Sequence, residues 1–558
     1  MTELIPNSPI AVQKSRRSAK GRVLTSGDAG KILPLKYEWL HREDGVQSGK
    51  IRMNVEMMET SEMLMNGVGV TLYAHFVPML AFDRFNGSMD ELNRSYKKEN
   101  GAAGSVVPFF ESNKYFRPDN NSVTTTDANS SLNPPVFDTH DNSHGLLQFY
   151  QTMGIHTQSS NINTTPVEAY NAIVNHRRKA RSKSLPLRNA FDHRLADAFW
   201  INNGMQNIVP DYDQNLIDGQ VTLAGLTFQA PIKAPMYSRD GVTGVASNNN
   251  TTTDGLGFSP AMPGTDIIDQ GDMYLFDEIY AELTTGGNAT MSLADIEQAR
   301  KTAAFAKLRA KYDGLESEYI IDLLMSGIAV PDEALKQPIL LGRQRAMIGF
   351  NQRYATDGAN LDKSATNGMA TIDMSIRTPA MNTGGLIMIT AEIVPEQLWE
   401  RKKDYFLYTT DPDTLPNYLS DFLSPEKVSR VQNDHADVNH ATPDGTFGYA
   451  PLNHEWQRDA VNVGGKYYRP ANDAFDEDRA KIWTAEATNP TLNEDFYLCS
   501  GLHKKVFADQ VSDSFEITCL SDMTIVGNTV FGAGLQETDA TSDYDTITSQ
   551  VDSSRIVK

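Results

Sequence analysis

Two runs near the start of the chain set its hydrophobic pattern. Ile51, Met53, Val55 and Met57 alternate with Arg52, Asn54 and Glu56, and Val68, Val70, Leu72, Ala74 and Phe76 alternate with Gly69, Thr71, Tyr73 and His75. A period of two predicts strands that bury one face. Asn66-Gly67 predicts a turn before the second run. Pro78, which has no N–H for a ladder, ends it. The same period returns late in the chain. Ile372, Met374 and Ile376 alternate with Asp373, Ser375 and Arg377, and residues 386–391 are apolar on both faces, as in a central strand. Phe515, Ile517 and Cys519 begin a last strand that continues through Met523-Thr524-Ile525-Val526. Distant ends that return to one sheet belong to Greek-key and jelly-roll topologies. The expected fold is mainly β, with long loops and a few helices.

Three stretches read as helix. Thr165-Pro166 opens one, with Thr165 as cap, Pro166 in the first turn, and Val167, Tyr170 and Val174 on one face. Ser292 caps a long one whose stripe is Leu293, Ile296, Ala304, Leu308 and Tyr312, stopped at Gly314. A short third covers Glu318–Met325. Residues 98–165 hold no period and read as a loop excursion. Residues 213–290 read as an insertion whose tip, Ser247, Asn248, Asn249, Asn250, Thr251 and on to Asp254, has no large apolar side chain and is expected to be exposed and mobile. Residues 1–30 read as a flexible basic arm, and residues 31–558 as one β domain carrying these insertions.

Composition changes this picture in one respect. The chain has 558 residues and a formal net charge of −21, so a whole-chain basic nucleic-acid binder is excluded and only local basic patches are left. Two are visible. Over residues 1–22, Lys14, Arg16, Arg17, Lys20 and Arg22 are set against a single acid, Glu3, and farther on His176 is followed by Arg177, Arg178, Lys179, Arg181 and Lys183. The first is a phosphate-binding arm or a solvated tail; the second holds phosphate, pairs with an acidic neighbour, or is a solvated face. With two cysteines, Cys499 and Cys519, there is no disulfide framework, which fits assembly in a reducing cytoplasm. No apolar run is long enough to span a bilayer and no secretory leader is expected.

Motifs for catalysis are missing. There is no P-loop, G-x-S-x-G, H-E-x-x-H or paired C-x-x-C. Asp138, His140, Asp141 and His144 match no metal spacing, and Asp434, His435, Asp437 and His440 offer no further ligand. The expectation is no catalytic residue, no metal and no cofactor. Gly384-Gly385 and Gly464-Gly465 read as tight turns, without the helix that a phosphate cradle needs.

Several segments, in this order, resemble the major capsid protein of the Microviridae, small tailless phages with circular single-stranded DNA. They are the strand Val70-Thr71-Leu72-Tyr73-Ala74-His75-Phe76-Val77-Pro78, the helix with Ala169-Tyr170-Asn171-Ala172-Ile173, residues 281–342 through Pro338-Ile339-Leu340-Leu341-Gly342, and Phe447-Gly448-Tyr449 with Trp456, Val463, Gly465 and Tyr468. The resemblance implies an eight-stranded viral jelly roll with a helical insertion over 291–342. It also implies self-assembly into a T=1 icosahedral shell around single-stranded DNA. Implied partners are copies of the chain, the genome, scaffolding or pilot proteins and a bacterial surface receptor, in a virion assembled in the host cytoplasm without membrane insertion. In the gokushovirus branch, capsid loops gather as threefold protrusions, a role implied for 213–290. The two basic stretches are the candidates for DNA contact, by charge. The rival expectations are a secreted carbohydrate-active β-sandwich enzyme, with acids such as Asp434 and Asp437, and a lectin-like adhesin.

Overall fold

The computed structural model describes residues 12–60, 62–98, 162–192, 194–201, 207–211, 318–354, 364–398, 401–412, 415–423, 427–456, 462–468, 481–484 and 489–532, with short pieces at 109–110, 112–113, 152–154, 205, 232–281 and 301–315. Two compact units are distinguished, one made of residues 1–212 and 312–558 and the other of 213–311. The second unit starts where the insertion is expected to start but runs past 290.

In the first unit, eleven strands carry the architecture: β1 (Ser15–Gly27), β2 (Ile32–Leu40), β3 (Gly45–Thr60), β4 (Val68–Pro78), β5 (Ile339–Met347), β6 (Gly349–Tyr354), β7 (Ser364–Ile376), β8 (Gly385–Pro395), β9 (Val428–Gln432), β10 (Thr446–Pro451) and β11 (Phe515–Gly527). A five-stranded sheet has the order β1-β11-β3-β7-β6, a four-stranded sheet the order β5-β4-β8-β2, and β9 pairs with β10. Every pairing is antiparallel. The chain crosses repeatedly between the two large sheets: β2 lies in one, β3 in the other, β4 back in the first, and β7 and β8 cross again.

The two large sheets face each other across one core. Ile51, Met53, Val55 and Met57 of β3 meet Val70, Leu72, Ala74 and Phe76 of β4 there, with Ile372 and Ile376 of β7, Ile387 and Ile389 of β8, and Phe515 and Ile517 of β11. This is the burial that the period of two predicts. The expectation fails in one particular. The alternate positions of β4, Thr71, Tyr73 and His75, are buried too. The outer face of the four-stranded sheet is roofed by α2 (Thr165–Arg181), whose Val167, Tyr170, Ile173 and Val174 form a second core with Val77, Leu386 and Met388. A strand sandwiched between two apolar layers has no polar phase to show. The short helix α1 (Met89–Lys97) precedes α2.

Helix α2 starts as the sequence suggests and ends later. Its N-cap is Thr164 rather than Thr165, and the Asn163 side chain accepts a hydrogen bond from the Thr165 N–H at 3.0 Å. The Tyr170 hydroxyl fixes the helix to the sheet: it donates to the Ile32 carbonyl at 2.7 Å and accepts from the Ala196 N–H at 2.9 Å. Full burial raises its pKa well above the ordinary tyrosine range. Helix α3 (Glu318–Met325) covers the predicted residues.

Several expectations are corrected. The flexible arm of residues 1–30 does not hold from Ser15 on: Ser15–Gly27 is β1, paired along its whole length with β11. Its Ser, Gly and basic residues alternate with Ala19 and Val23, which pack on the core, so a half-polar edge strand looks like a tail when read by composition alone. The helical insertion does not extend to 342, because Ile339–Met347 is β5, paired with β4. Leu308, expected in an apolar stripe, is half exposed. In the second unit, Ser247, Asn248 and Asn249 of the supposed mobile tip lie in a strand, Ala246–Asn249, paired with Met236–Arg239, which pairs in turn with Met273–Phe276. Asn250, Thr251 and Asp254 lie outside the described residues, as do Asp138, His140, Asp141 and His144.

Close packing at β8 gives a first prediction. A Cβ on Gly385 would stand 2.3 Å from the Val77 carbonyl oxygen and 2.7 Å from the Phe76 ring. Both neighbours are fixed in the central ladder, so Gly385→Ala is expected to cost about 1–3 kcal/mol, typical of overpacking, read as a lowered denaturant midpoint.

Candidate nucleic-acid interface

The five-stranded sheet has one face in the core and one toward solvent. Because its strands are in register, the solvent face can be read as cross-strand rows. One row is Arg22, Leu520, Arg52 and Asp373; the next is Lys20, Asp522, Lys50 and Ser375. Arg16 and Arg377 lie on the same exposed phase. The face thus presents Arg16, Lys20, Arg22, Lys50, Arg52 and Arg377 against Glu56, Asp373, Glu516 and Asp522. In a chain of net charge −21 this face carries six cations against four acids. A shallow concavity lies at its centre, between Lys20, Arg22, Lys50, Arg52 and Asp373.

Some of this charge is internally neutralised. Arg52 holds Asp373 with two parallel hydrogen bonds, Nε to Oδ1 at 2.6 Å and Nη2 to Oδ2 at 3.1 Å. That contact keeps the Asp373 carboxyl below its ordinary pKa. Lys20 and Asp522 are 3.8 Å apart, both well exposed. Arg22 and Lys50 have no carboxylate partner among the described residues. At the edges, Arg16 donates to the Gln47 side chain at 2.8 Å and Arg377 to the Gln47 carbonyl at 3.0 Å.

The N-terminal candidates therefore divide. Lys14, Arg16, Lys20 and Arg22 are exposed. Arg17, one step out of phase, turns inward and binds Asp44 at 2.9 Å and the Trp39 carbonyl at 2.5 Å. Sequence reasoning missed Lys50, Arg52 and Arg377 as members of the same surface. Their signal was present as the polar phase of strands already identified, but joining them to Lys20 and Arg22 needs the register.

The second basic run is the C-terminal half of α2, and most of it is not a free surface. Arg177 forms a two-pronged pair with Glu392 of β8, and its guanidinium stands 4.5 Å from the Tyr73 ring centroid. Arg178 is buried, donating to the Pro186 carbonyl at 2.6 Å and lying 3.7 Å from Glu494. Arg181 is half-buried with its guanidinium 5.3 Å from the Tyr497 ring centroid. Lys179 and Lys183 are exposed. The expected DNA-binding run is thus corrected for Arg177 and Arg178: a helix that docks by one face turns the cations on that face into the protein, where Arg177 has an acid and Arg178 a carbonyl. Cations in the last turn also offset the helix dipole.

The acid–histidine cluster is likewise structural. Arg401 binds Asp437 at 2.6 Å with both side chains almost fully buried, and Lys403 binds Asp434 at 2.5 Å. The His440 ring nitrogen Nδ1 accepts from the Thr442 N–H at 3.0 Å. Burial lowers the His435 pKa, so its ring is neutral near pH 7. Among the described residues no group of three or more His, Cys, Asp or Glu is placed to hold a metal ion, and no helix is long and apolar enough to cross a membrane. Cys499 and Cys519 are both buried and unpaired, with burial pushing the Cys519 thiol up to about 11. No protein-family model matches the chain, and a search of curated proteins finds no match.

Proposed function

We propose that this chain is a shell-forming structural protein, a capsid protein of the kind found in the Microviridae, which assembles with copies of itself around single-stranded DNA. The observation that carries this reading is the strand order of the sandwich. Counted in chain order within the four-stranded sheet, the strands β2, β4, β5 and β8 lie side by side as third, second, fourth, first. That is the order of one sheet of a jelly roll, in which the last strand returns between the first and second. The other sheet keeps the adjacent pair β3 and β7 and adds β11 and β1 at its flank. A jelly roll with long insertions is the reading this order supports.

Two surfaces support the role. The cationic face of the five-stranded sheet suits a disordered polyanion, because its charges are spread over rows rather than gathered in a pocket. Elsewhere, the helical turns Tyr405–Tyr408 and Tyr418–Leu423 expose Phe406, Leu407, Tyr418, Leu419 and Phe422. Both turns reach the same segment: Phe406 meets the Trp456 ring at 6.0 Å and Asp421 accepts from Asn453 at 2.8 Å. A shared apolar patch of this kind is what lateral contacts between subunits use. Scaffolding or pilot proteins and a bacterial receptor are further partners under this reading. The rival carbohydrate-active enzyme is less well supported, because Asp434 and Asp437 each hold a cation instead of facing one another across a cleft.

The deciding experiment is electron microscopy of the purified chain, in which uniform icosahedral particles are expected and persistent monomers overturn the proposal. A sharper one follows from the patch. Tyr418 and Phe422 are 86% and 75% exposed. The double variant Tyr418→Asp, Phe422→Asp should keep its thermal midpoint, since exposed substitutions change stability by about 0.5 kcal/mol or less. Particle yield by size-exclusion chromatography should nevertheless collapse.

A further inference from the structure

On the opposite side of the sandwich from the cationic face, a groove of about 420 Å³ opens between the end of α2 and the edge strand β5. Its floor is β4, through Tyr73 and His75. One wall is helical, with His176 and Arg181; the other is β5, with Leu340 and Arg343. Phe199 stands in the lining, partly exposed.

Three features separate this groove from a packing defect. First, Arg343 is exposed with its guanidinium 5.5 Å from the Tyr73 ring centroid, and neither it nor Arg181 has a carboxylate partner among the described residues. The helix dipole accounts for a cation at 181 but not for one on the opposite wall. Second, His75 is 4% exposed, and its Nδ1 is buried with no hydrogen-bond partner among the described residues. Buried polar atoms left without a partner are uncommon and call for an explanation. Third, the nearby acid, Glu392, is already taken by Arg177, so the open cations are not balanced from below.

We propose that this groove binds a single nucleotide unit, with the phosphate between Arg181 and Arg343 and the base against Phe199 and the Tyr73 edge. Guanidinium groups match phosphate oxygens in fork geometry. Aromatic rings accept any base by stacking. The volume falls in the range of small-ligand pockets. The imidazole of His75 is neutral near pH 7, held down to about 3 by burial with Arg177 and His176 beside it, so it adds no further charge to the floor of the groove. The unit is either a free nucleotide or one residue of a single strand. The inference does not depend on the shell reading, because a chain that never formed a particle would keep the groove.

The test uses the full-length unassembled chain. Calorimetric titration with dAMP and with an oligothymidylate is paired with photo-cross-linking of a 5-iododeoxyuridine oligonucleotide and mapping by mass spectrometry. Saturable binding is expected, competed by inorganic phosphate, with Arg343→Ala and Arg181→Ala each weakening it ten-fold or more. Arg430→Ala, an exposed cation of β9 outside both the groove and the cationic sheet face, should leave dAMP binding unchanged. Cross-links should fall on the peptides holding Tyr73 and Phe199. Binding of dAMP points to a free nucleotide as the source; binding of the oligonucleotide alone, with those cross-links, points to the strand. No saturable binding of either probe overturns the proposal, as does an unaffected Arg343→Ala, or cross-links confined to residues 16–24.

Discussion

Arg177→Ala should destabilise the chain by about 3–5 kcal/mol, the range for removing one partner of a buried ion pair. The Glu392 side chain is 5% exposed and the Arg177 side chain 15%, so the carboxylate that remains has little access to water. The substitution also removes the one guanidinium that stands over the Tyr73 ring and 5.3 Å from the Phe199 ring centroid. Chemical denaturation gives the measurement, and two controls interpret it. Arg177→Leu combined with Glu392→Leu should recover much of the loss, since a buried pair is often replaceable by apolar groups of similar volume. Arg52→Ala, which breaks an equally well-formed pair on the open sheet face, should change the midpoint little. If Arg177→Ala is as mild as Arg52→Ala, the helix is not held to β8 by this pair.

Under the proposed capsid reading, Lys20→Gln, Arg22→Gln and Lys50→Gln together should leave shells intact and reduce the single-stranded DNA they hold. Each phosphate contact contributes about 0.7 to the slope of log affinity against log salt for single strands, so three lost contacts should flatten that slope by about 2. The measurement is oligonucleotide affinity at several salt concentrations, with DNA content per particle alongside. An unchanged slope would remove this face from consideration. Truncating the N-terminus is a poorer test, because Ser15–Arg22 pairs with Leu520–Gly527 and its loss would strip the neighbouring strand bare.

The strands at 49–57, 372–376 and 515–526 were legible because each has one buried and one wet phase, and an alternating sequence records both. At β4 the inward phase was legible but the outward one was not, since Tyr73 and His75 owe their burial to a helix about a hundred positions later. Polar composition misled twice in the same way. Ser, Gly, Lys and Arg at 15–22, and Ser and Asn at 247–249, suit an edge strand as well as a loop, because an edge needs only one apolar face or none. Charge runs were the weakest guide to the candidate site. Arg177 and Arg22 look alike in the sequence, yet one is clamped by Glu392 and the other open. Only the phase of the element each sits on separates them.

The pairing of β1 with β11 has a consequence for biosynthesis. Ser15 lies beside Gly527, 512 residues away. At synthesis rates of about 5–20 residues per second the first strand waits roughly 25 to 100 seconds for its neighbour to leave the ribosome. Until then β3 also lacks one of its two flanking strands, and a bare strand edge invites pairing with other nascent chains. The sandwich is therefore complete only once Phe515–Gly527 has emerged, which leaves a long window in which a chaperone has something to hold.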